Sequence, residues 1–511
     1  MRIATARQMR ELDNITIYDR KVPSTLLMER AAQGIFKACL DLLPEAAEKS
    51  AVLFCGPGNN GGDGVAVARL LKKAGMRVRA FLVGKREKMT DDCREMEQRL
   101  IECGGVLEEF DPESEEQKCV TMVADLLVDA IFGIGLNADI RGSALTAIAW
   151  MNEAKAPVVA ADIPSGVETD TGRVLGCAVQ AAVTVTFTLP KLGHYVGRGG
   201  VHTGKLVVHS IGIPDDLVDS MVIEANAVEA DLVKSWLPKR PVDGHKGTFG
   251  KCYLLSGSTG YTGAPVLASR AAVRSGTGLV FLGVPREVYP IIAVKSDEAM
   301  PAPLPCDEKG ILTEEALIPV LEKMAGCDAA LIGPGLGRGE DMERLVAAIM
   351  DTVQYPLVLD ADGINAIAGH MDVLYRRRSC PTILTPHDGE FARMGGDLSD
   401  GDRVLAARRF SMTYGCLLVL KGHRTIISLP DGEVFVNTTG NAGMAKGGSG
   451  DVLAGILVSL LAQGLHPVKA AVCAVWIHGR AGDLCKLKKG ERGMTPTDLI
   501  EMLPQVFLEL E

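Results

Sequence analysis

Two successive series of short β-branched runs, each alternating with longer amphipathic stretches, constrain this chain more than any other feature of its sequence. A short β-branched run suits a buried strand and an amphipathic stretch suits a covering helix, so the alternation predicts a parallel sheet with helices on its faces. In the first series the expected strands are 51–55, 78–83, 126–131, 157–162, 183–188 and 205–209. In the second they are 251–256, 279–284, 329–333, 356–360, 382–385 and 417–421. The runs 425–429 and 433–437, joined by Pro430-Asp431-Gly432, read as a terminal hairpin. Between the series, Ile213-Pro214-Asp215-Asp216 closes one, and Leu237-Pro238-Lys239-Arg240-Pro241 with the glycine-bearing DGHKGTFG opens the next. Prolines so placed belong to a domain entry and not to a sheet interior. The expected boundary lies near residue 225, giving units 1–225 and 226–511, each long enough for its own core.

Glycine makes up 57 of 511 residues, about 11% against a usual level near 7%, and it collects where strands turn into helices. After 51–55 comes Gly56-Pro57-Gly58-Asn59-Asn60-Gly61-Gly62-Asp63-Gly64, followed by a helical run at 65–74. Such a turn exposes backbone N–H groups and a helix N-terminus to an anion, as phosphate sites do. Gly56-x-Gly58-x-x-Gly61 also satisfies the dinucleotide fingerprint, a pattern that a plain tight turn satisfies as well. Asp129 ends another strand ahead of Gly133-Ile134-Gly135-Leu136, and Asp162 ends a third ahead of Pro164-Ser165-Gly166. Ligands of open α/β sheets gather at the carboxyl ends of strands, so the three segments are expected to converge. Oxygens of Asn60, Asp129 and Ser165 would there suit a hard cation. Taken singly, each carboxylate is better read as a helix N-cap; three at matching topological positions point to a site.

The second series ends in Asn441-Ala442-Gly443-Met444-Ala445-Lys446-Gly447-Gly448-Ser449-Gly450-Asp451, which enters an apolar helix at 452–461. Gly440, Gly443, Gly447, Gly448 and Gly450 exceed what a cap requires. They fit an anion hole beside which Asp451 abstracts a proton from a hydroxyl. No Walker A pattern occurs, which argues against a P-loop NTPase. Lys421 and Arg424, in Lys421-Gly422-His423-Arg424-Thr425 at a strand end, either reach nucleotide phosphates or belong to a solvated turn.

Charge and cysteine usage exclude other classes. The formal charge is 54 − 64 = −10, which disfavours a nucleic-acid binder relying on a basic surface. With 47% hydrophobic and 23% charged residues, the chain is too apolar for intrinsic disorder. The 13 cysteines include no Cys-x-x-Cys pair, so a reducing cytoplasm fits better than a disulfide framework or zinc knuckle. The opening MRIATARQMRELD lacks the apolar stretch of a signal peptide, and the run 453–461 is too short to span a bilayer, so no membrane segment is expected.

GPGNNGGDG, LVDAIFGIGL and ADIPSG together resemble the N-terminal, Rossmann-like epimerase domain of the bifunctional NAD(P)H-hydrate repair enzymes, over about residues 1–215. The resemblance implies that Asn59, Asn60, Gly61, Gly62 and Asp63 contact the hydrated nicotinamide nucleotide. So would Gly133, Ile134, Gly135, Leu136, Asn137, Ala138 and Asp139. It implies a potassium ion on Asn60, Asp129 and Ser165, with Asp162 as the catalytic group on the substrate. The ordered set HKGTFGK (245–251), GYTGAP (260–265), GPGLG (333–337), LDADGIN (359–365), TPHDGE (385–390), KGHRT and NAGMAKGGSGD resembles the ribokinase-like, ADP/ATP-dependent NAD(P)H-hydrate dehydratase domain, over about 230–505. By that resemblance Ala264, Gly335, His387 and catalytic Asp451 contact the hydrate, and Lys421, Gly422, His423, Arg424, Thr425 and Gly450 bind ADP or ATP. Mg²⁺ is expected on the nucleotide phosphates, with Asp360 and Asp362 either helping to hold it or capping the following helix. Asp388 departs from the pattern, which expects proline after the histidine.

The implied function is an isomerase and a lyase on one chain, acting on the hydrates NADHX and NADPHX. The first domain would epimerise the R and S forms; the second would dehydrate the S form with ADP or ATP. Partners are then small molecules, neither nucleic acid nor membrane, and a homo-oligomeric assembly is expected. A ribokinase-like kinase of a vitamin alcohol would share Gly450-Asp451 but leave GPGNNGGDG and ADIPSG unexplained. A nucleotide-sensing or scaffold module, as epimerase-like domains of decapping factors are, would not need Asn60, Asp129, Asp162 and Ser165.

Overall fold

All the strand runs of the first series join one seven-stranded sheet. Its strands are β1 (Ser50–Cys55), β2 (Arg77–Leu82), β3 (Leu107–Glu109), β4 (Leu126–Ala130), β5 (Val158–Ala161), β6 (Val183–Phe187) and β7 (Lys205–His209). They pair in parallel in the order β3-β2-β1-β4-β5-β6-β7. In the computed structural model, which describes every residue except Ala46, this sheet belongs to a unit spanning Arg2–Ala225. Both faces are covered. Along β1, Ala51, Leu53 and Cys55 enter one apolar cluster while Val52 and Phe54 enter the other, the period of two that a doubly buried strand requires.

Asn226–Glu511, with Met1, form the other unit. Its strands are β8 (Ala225–Val228), β9 (Lys251–Leu255), β10 (Leu279–Pro285), β11 (Met300–Leu304), β12 (Ala329–Ile332), β13 (Leu357–Leu359), β14 (Thr382–Leu384), β15 (Leu417–Leu420), β16 (Ile426–Ser428) and β17 (Val434–Asn437). Their order is β11-β10-β9-β12-β13-β14-β15-β16-β17-β8. The pairs from β11 to β15 are parallel, and β15/β16 and β16/β17 are antiparallel. The hairpin therefore forms as expected, but it does not end the sheet, because β8 lies beyond β17. The strands that sequence patterning misses, β3, β8 and β11, are all edge strands. An edge is covered on fewer sides, so it tolerates the charge of Leu107–Glu109 and the two prolines of Met300–Leu304.

Two helices start earlier than their apolar pattern predicts. The helix Asn59–Lys73 begins inside the glycine run. A Cβ at Gly61 would stand 1.7 Å from the Gly56 carbonyl oxygen, one at Gly62 would stand 2.7 Å from Met28 Sδ, and one at Gly64 would meet the Ala130 side chain at 2.5 Å. These glycines let the helix lie directly on β4 and on its own entry turn, although glycine costs a helix roughly 0.5–1 kcal/mol per residue. The helix Ser449–Ala462 is buried on every side from Val452 onward. Each buried Leu, Ile or Val side chain contributes about 1.5–3 kcal/mol, so the run 453–461 is the central helix of the second core. Among the described residues no helix is long and apolar enough to cross a membrane, and all 13 cysteines are free thiols.

Candidate active sites

In the first sheet the chain leaves β1 toward β2 on one side and reaches β4 on the other, so a crevice opens between the carboxyl ends of β1 and β4. It holds a cavity of about 1070 Å³ bordered by Asn59, Asn60, Asp63, the loop from Gly133 through Asp139, and Asp162. Gly61 and Gly62 do not border it; they face Gly56 and Met28 inside the packed helix.

Asp162 follows β5 with φ at 62°, in the left-handed region, a conformation that a non-glycine residue holds only when its surroundings enforce it. Those surroundings are a buried polar knot. The Asp162 carboxylate accepts from Lys191 Nζ at 2.6 Å and from Thr186 Oγ1 at 2.9 Å. His194 Nδ1 accepts from the Lys191 backbone N–H at 3.0 Å, so Nε2 carries the ring proton and donates to the Asp162 carbonyl at 2.8 Å. Burial and then Lys191 push His194 down to about 4 and keep it neutral. Burial works to raise the Asp162 carboxyl, but the Lys191 ammonium and the Thr186 hydroxyl outweigh it and hold the group below the usual carboxylate range.

Asp129, wholly buried in β4, accepts from Ser165 Oγ at 2.6 Å and from the Ser165 backbone N–H at 2.7 Å. Neither Asp129 nor Asp162 caps a helix. Burial pushes Asp129 up to about 6, and no basic side chain offsets it. Asn60 packs its amide against Gly133, where a Cβ would lie 3.2 Å from Oδ1, and its Nδ2 is buried without a hydrogen bond. Oxygen donors around a buried, uncompensated carboxylate fit a monovalent hard cation.

The second site gathers at the ends of β12 to β15. Asp360, 1% exposed, follows β13 and accepts from Lys421 Nζ and from Thr385 Oγ1, both at 2.8 Å. Glu390 lies 3.9 Å from the same ammonium. Into this cluster comes the helix Ser449–Ala462, whose N-cap is Gly448 at φ 97°, with no side-chain cap. Asp451 is therefore not a cap. Burial and then Asp360 push its carboxyl up to about 7, against the opposing pull of Lys421. A Cβ at Gly450 would stand 3.3 Å from Lys421 Nζ, and Gly447 faces open space. Here, unlike in the Gly61–Gly64 run, the glycines leave room beside a carboxylate and an ammonium.

Asp360 and Asp362 do not cap the following helix either, since Asp362 accepts from the Gly337 N–H at 2.9 Å and from Asn365 Nδ2 at 3.1 Å. His387 is the N-cap of the helix Asp388–Arg393; its Nδ1 accepts from the N–H groups of Gly389 and Glu390, and Glu390 accepts in return from the His387 N–H. Asp388 occupies the first helical position, where proline also fits, and bonds Arg403 at 2.6 Å. Arg403 also donates to the Lys421 carbonyl at 3.0 Å, so the unexpected aspartate ties the histidine turn to the end of β15. Arg424, at φ 60°, donates to the Thr438 carbonyl. Burial and then Arg424 depress the neighbouring His423. Gly335, at φ 67°, adjoins Ala264, as a Cβ on it would lie 3.3 Å from the Ala264 Cβ.

Several polar groups of these sites escape sequence reasoning. Lys191, Thr186 and His194 lie more than twenty residues after Asp162 with no glycine signal, although the turn Leu189-Pro190-Lys191 after β6 was the one available clue. Asp13 reaches the first cavity from the N-terminal helix. Glu390 falls inside TPHDGE without a role implied there. His478, half-buried on the helix Pro467–Gly493 with its Nε2 enclosed and unpaired, faces Ser449 and Lys421 and is pushed down to about 4 chiefly by desolvation.

Comparisons with known proteins divide the chain the same way. A family model described as NAD(P)H-hydrate dehydratase matches residues 252–505, and one described as YjeF-related protein N-terminus matches residues 24–193. The bifunctional NAD(P)H-hydrate repair enzyme Nnr of Moorella thermoacetica is 41% identical over 517 aligned positions, covering 100% of this chain and 97% of that protein. The protein of the same name from Escherichia coli is 32% identical and covers 98% of this chain and 91% of its own length. A solved ribokinase-like superfamily protein of Enterococcus faecalis superposes with a TM-score of 0.50 at 28% identity, covering 57% of this chain and 98% of that one.

Proposed function

Because this chain belongs to the family of bifunctional NAD(P)H-hydrate repair enzymes, we propose that its two sites act in series on one damaged cofactor. Residues 1–225 form the epimerase, which interconverts the R and S forms of NADHX and NADPHX. Residues 226–511 form the dehydratase, which returns the S form to NADH or NADPH with consumption of ADP or ATP. A stereospecific dehydratase alone would strand the other epimer, which gives the fusion its chemical sense.

In the epimerase, Asn59, Asn60 and Asp63 with Gly133–Asp139 enclose the nucleotide, and Asp162 takes a proton on or near the hydroxyl-bearing carbon; Gly61 and Gly62 instead serve the packing of the helix. The ionised state of Asp162, held by Lys191, is what supports this role. Asn60, Asp129 and Ser165 would hold K⁺, which supplies the positive charge that the buried Asp129 lacks.

In the dehydratase, the C6 hydroxyl of the hydrate is a poor leaving group, and phosphoryl transfer to it makes elimination feasible. Asp451, poised near neutrality, removes the hydroxyl proton, while the N–H groups after Gly447 stabilise the charge that develops. Lys421 stands beside Gly450 to meet a nucleotide phosphate, and Gly422–Thr425 line the same strand end. Ala264, Gly335 and His387 position the hydrate. With Nδ1 committed to the helix cap, His387 carries its ring proton on Nε2, 3.4 Å from Glu390 Oε1. Mg²⁺ would neutralise phosphate charge, held mainly by the nucleotide and water, since Asp360 and Asp362 are engaged by protein partners. A reducing, cytoplasmic setting suits thirteen free thiols, and the working assembly is read as a homo-oligomer.

The observation that carries the reading is the pair of carboxylates, Asp162 and Asp451, tuned in opposite directions in separate sites. Mixed NADH hydrate epimers incubated with the protein and ADP or ATP should regain full reduced-nicotinamide absorbance. Recovery of the S fraction alone would sink the epimerase, and no recovery with either nucleotide would sink the dehydratase.

A further inference from the structure

Of the carboxyl groups that border the epimerase cavity with Asp162, Asp13 is one to which the family resemblance gives no role. It sits on the helix Ala6–Asn14, which passes directly into a π-helical turn, Ile15–Asp19. Such turns concentrate at functional sites, and this one brings Asn14, Ile17 and Tyr18 to the same cavity wall as Asp13. The helix is fixed at its start by a reciprocal Thr5–Gln8 capping box. Arg10, one turn before Asp13, donates to the Ile134 carbonyl at 3.2 Å, so Asp13 keeps a set position relative to the loop Gly133–Asp139.

The charges around it are few. Lys191 and Asp162 face Asp13; Asp63 faces Asp162, Asp13 and Asp92; Arg10 lies on the same helix, and His194 beside Asp162 is neutral. Lys191 is committed to Asp162 at 2.6 Å. Among the described residues Asp13 has no hydrogen bond or close ion pair of its own. Burial raises its carboxyl to about 6, while Asp162 is held low. Among the carboxyls of this cavity Asp162 is thus held low while Asp13, like Asp63 on the facing helix, is raised, the arrangement from which acid and base assignments follow.

We propose that Asp13 is the catalytic acid partner of Asp162, so that epimerisation runs on two carboxyl groups; this rests on the epimerase reading above. The hydroxyl at C6 and ring atom N1 share one carbon. Asp162 takes the hydroxyl proton, the oxygen's electron pair closes a C6=O bond, the C6–N1 bond breaks, and Asp13 delivers its proton to N1. Rotation about C5–C6 turns the other face of the carbonyl toward N1. The C6–N1 bond then re-forms as Asp13 takes its proton back and Asp162 returns the other to oxygen. Both carboxyls end as they began, and no oxidant or co-reactant is consumed.

The test uses the full chain. Asp13→Asn keeps the shape and hydrogen-bonding capacity but has no proton to give, so kcat for epimer exchange should fall by about a hundredfold or more with little change in KM. Dehydration of the purified S epimer by the same preparation should be unchanged. Asp13→Gly should be equally slow and should regain activity in proportion to added formate, a rescue that a structural role would not produce. Wild-type kcat in Asp13→Asn, or a loss in Asp13→Gly that formate does not lift, overturns the proposal. Failure of the wild type itself to exchange epimers would instead remove the epimerase reading, and this proposal with it.

Discussion

Lys191 places its ammonium 2.6 Å from the Asp162 carboxylate, on a side chain that is 1% exposed. A pair this deep contributes little net stability over an apolar pair of the same shape, but removing one partner strands a buried charge. Lys191→Met should therefore lower the stability of residues 1–225 by about 3–5 kcal/mol and slow epimer exchange. The linkage sign follows from the depressed Asp162 carboxyl. Its contribution is present above the ordinary carboxylate pKa and is lost as pH falls through the lower folded value. In Lys191→Met that acid-side loss should disappear; denaturant unfolding between acid and neutral pH reads both effects, and an unchanged acid limb would contradict the assignment.

Asp451 stands at about 7 because burial and Asp360 raise it against Lys421. As a base it works ionised, so kcat/KM for dehydration should rise with pH through an acid limb near 7. Lys421→Met removes the one opposing charge and should move that limb upward, besides weakening nucleotide binding. Asp451→Asn should abolish dehydration, by about a hundredfold or more, and leave epimer exchange intact. Loss of both activities would mean that the two sites are not independent.

A cation held on Asp129, as proposed, should stabilise the fold in a pH-dependent way. The folded Asp129 carboxyl is raised to about 6, so it costs nothing below the unfolded pKa and costs progressively more as pH rises through 6, up to about 3 kcal/mol. A cation beside it offsets that cost. Replacing K⁺ with tetramethylammonium should lower the thermal midpoint of residues 1–225 more at pH 8 than at pH 5, and Asp129→Asn should erase the difference. An equal effect at both pH values would place the ion elsewhere.

The two glycine runs should respond to alanine in opposite ways. At Gly61 a Cβ would lie 1.7 Å from a backbone oxygen, so Gly61→Ala should destabilise by about 3 kcal/mol or more. At Gly450, in the first turn of its helix, the nearest atom would be Lys421 Nζ at 3.3 Å. Gly450→Ala should leave stability within about 1 kcal/mol of wild type yet raise the KM for nucleotide. Calorimetry and initial rates on the two variants separate packing glycines from ligand glycines; similar stability losses would erase the distinction.

Sequence by itself determined the two-sheet architecture, because strands buried on both faces must be apolar and β-branched wherever they occur, and only the edge strands β3, β8 and β11 escaped that rule. It also singled out Asp162 and Asp451, since glycine-bearing segments at strand ends mark where backbone comes close to something else. What the glycines come close to was a tertiary matter. Those from Gly61 to Gly64 yield to Gly56, Met28 and Ala130, whereas Gly447 faces open space and Gly450 meets only the end of the Lys421 side chain and the Asp360 carboxylate, a difference no local pattern encodes. The same holds for protonation. Lys191 and Asp13 are separated from Asp162 by 29 and 149 positions of chain, and Lys421 and Asp360 from Asp451 by 30 and 91. The charge states of both carboxylates depend on burial and on these distant partners, which only the assembled fold brings within reach.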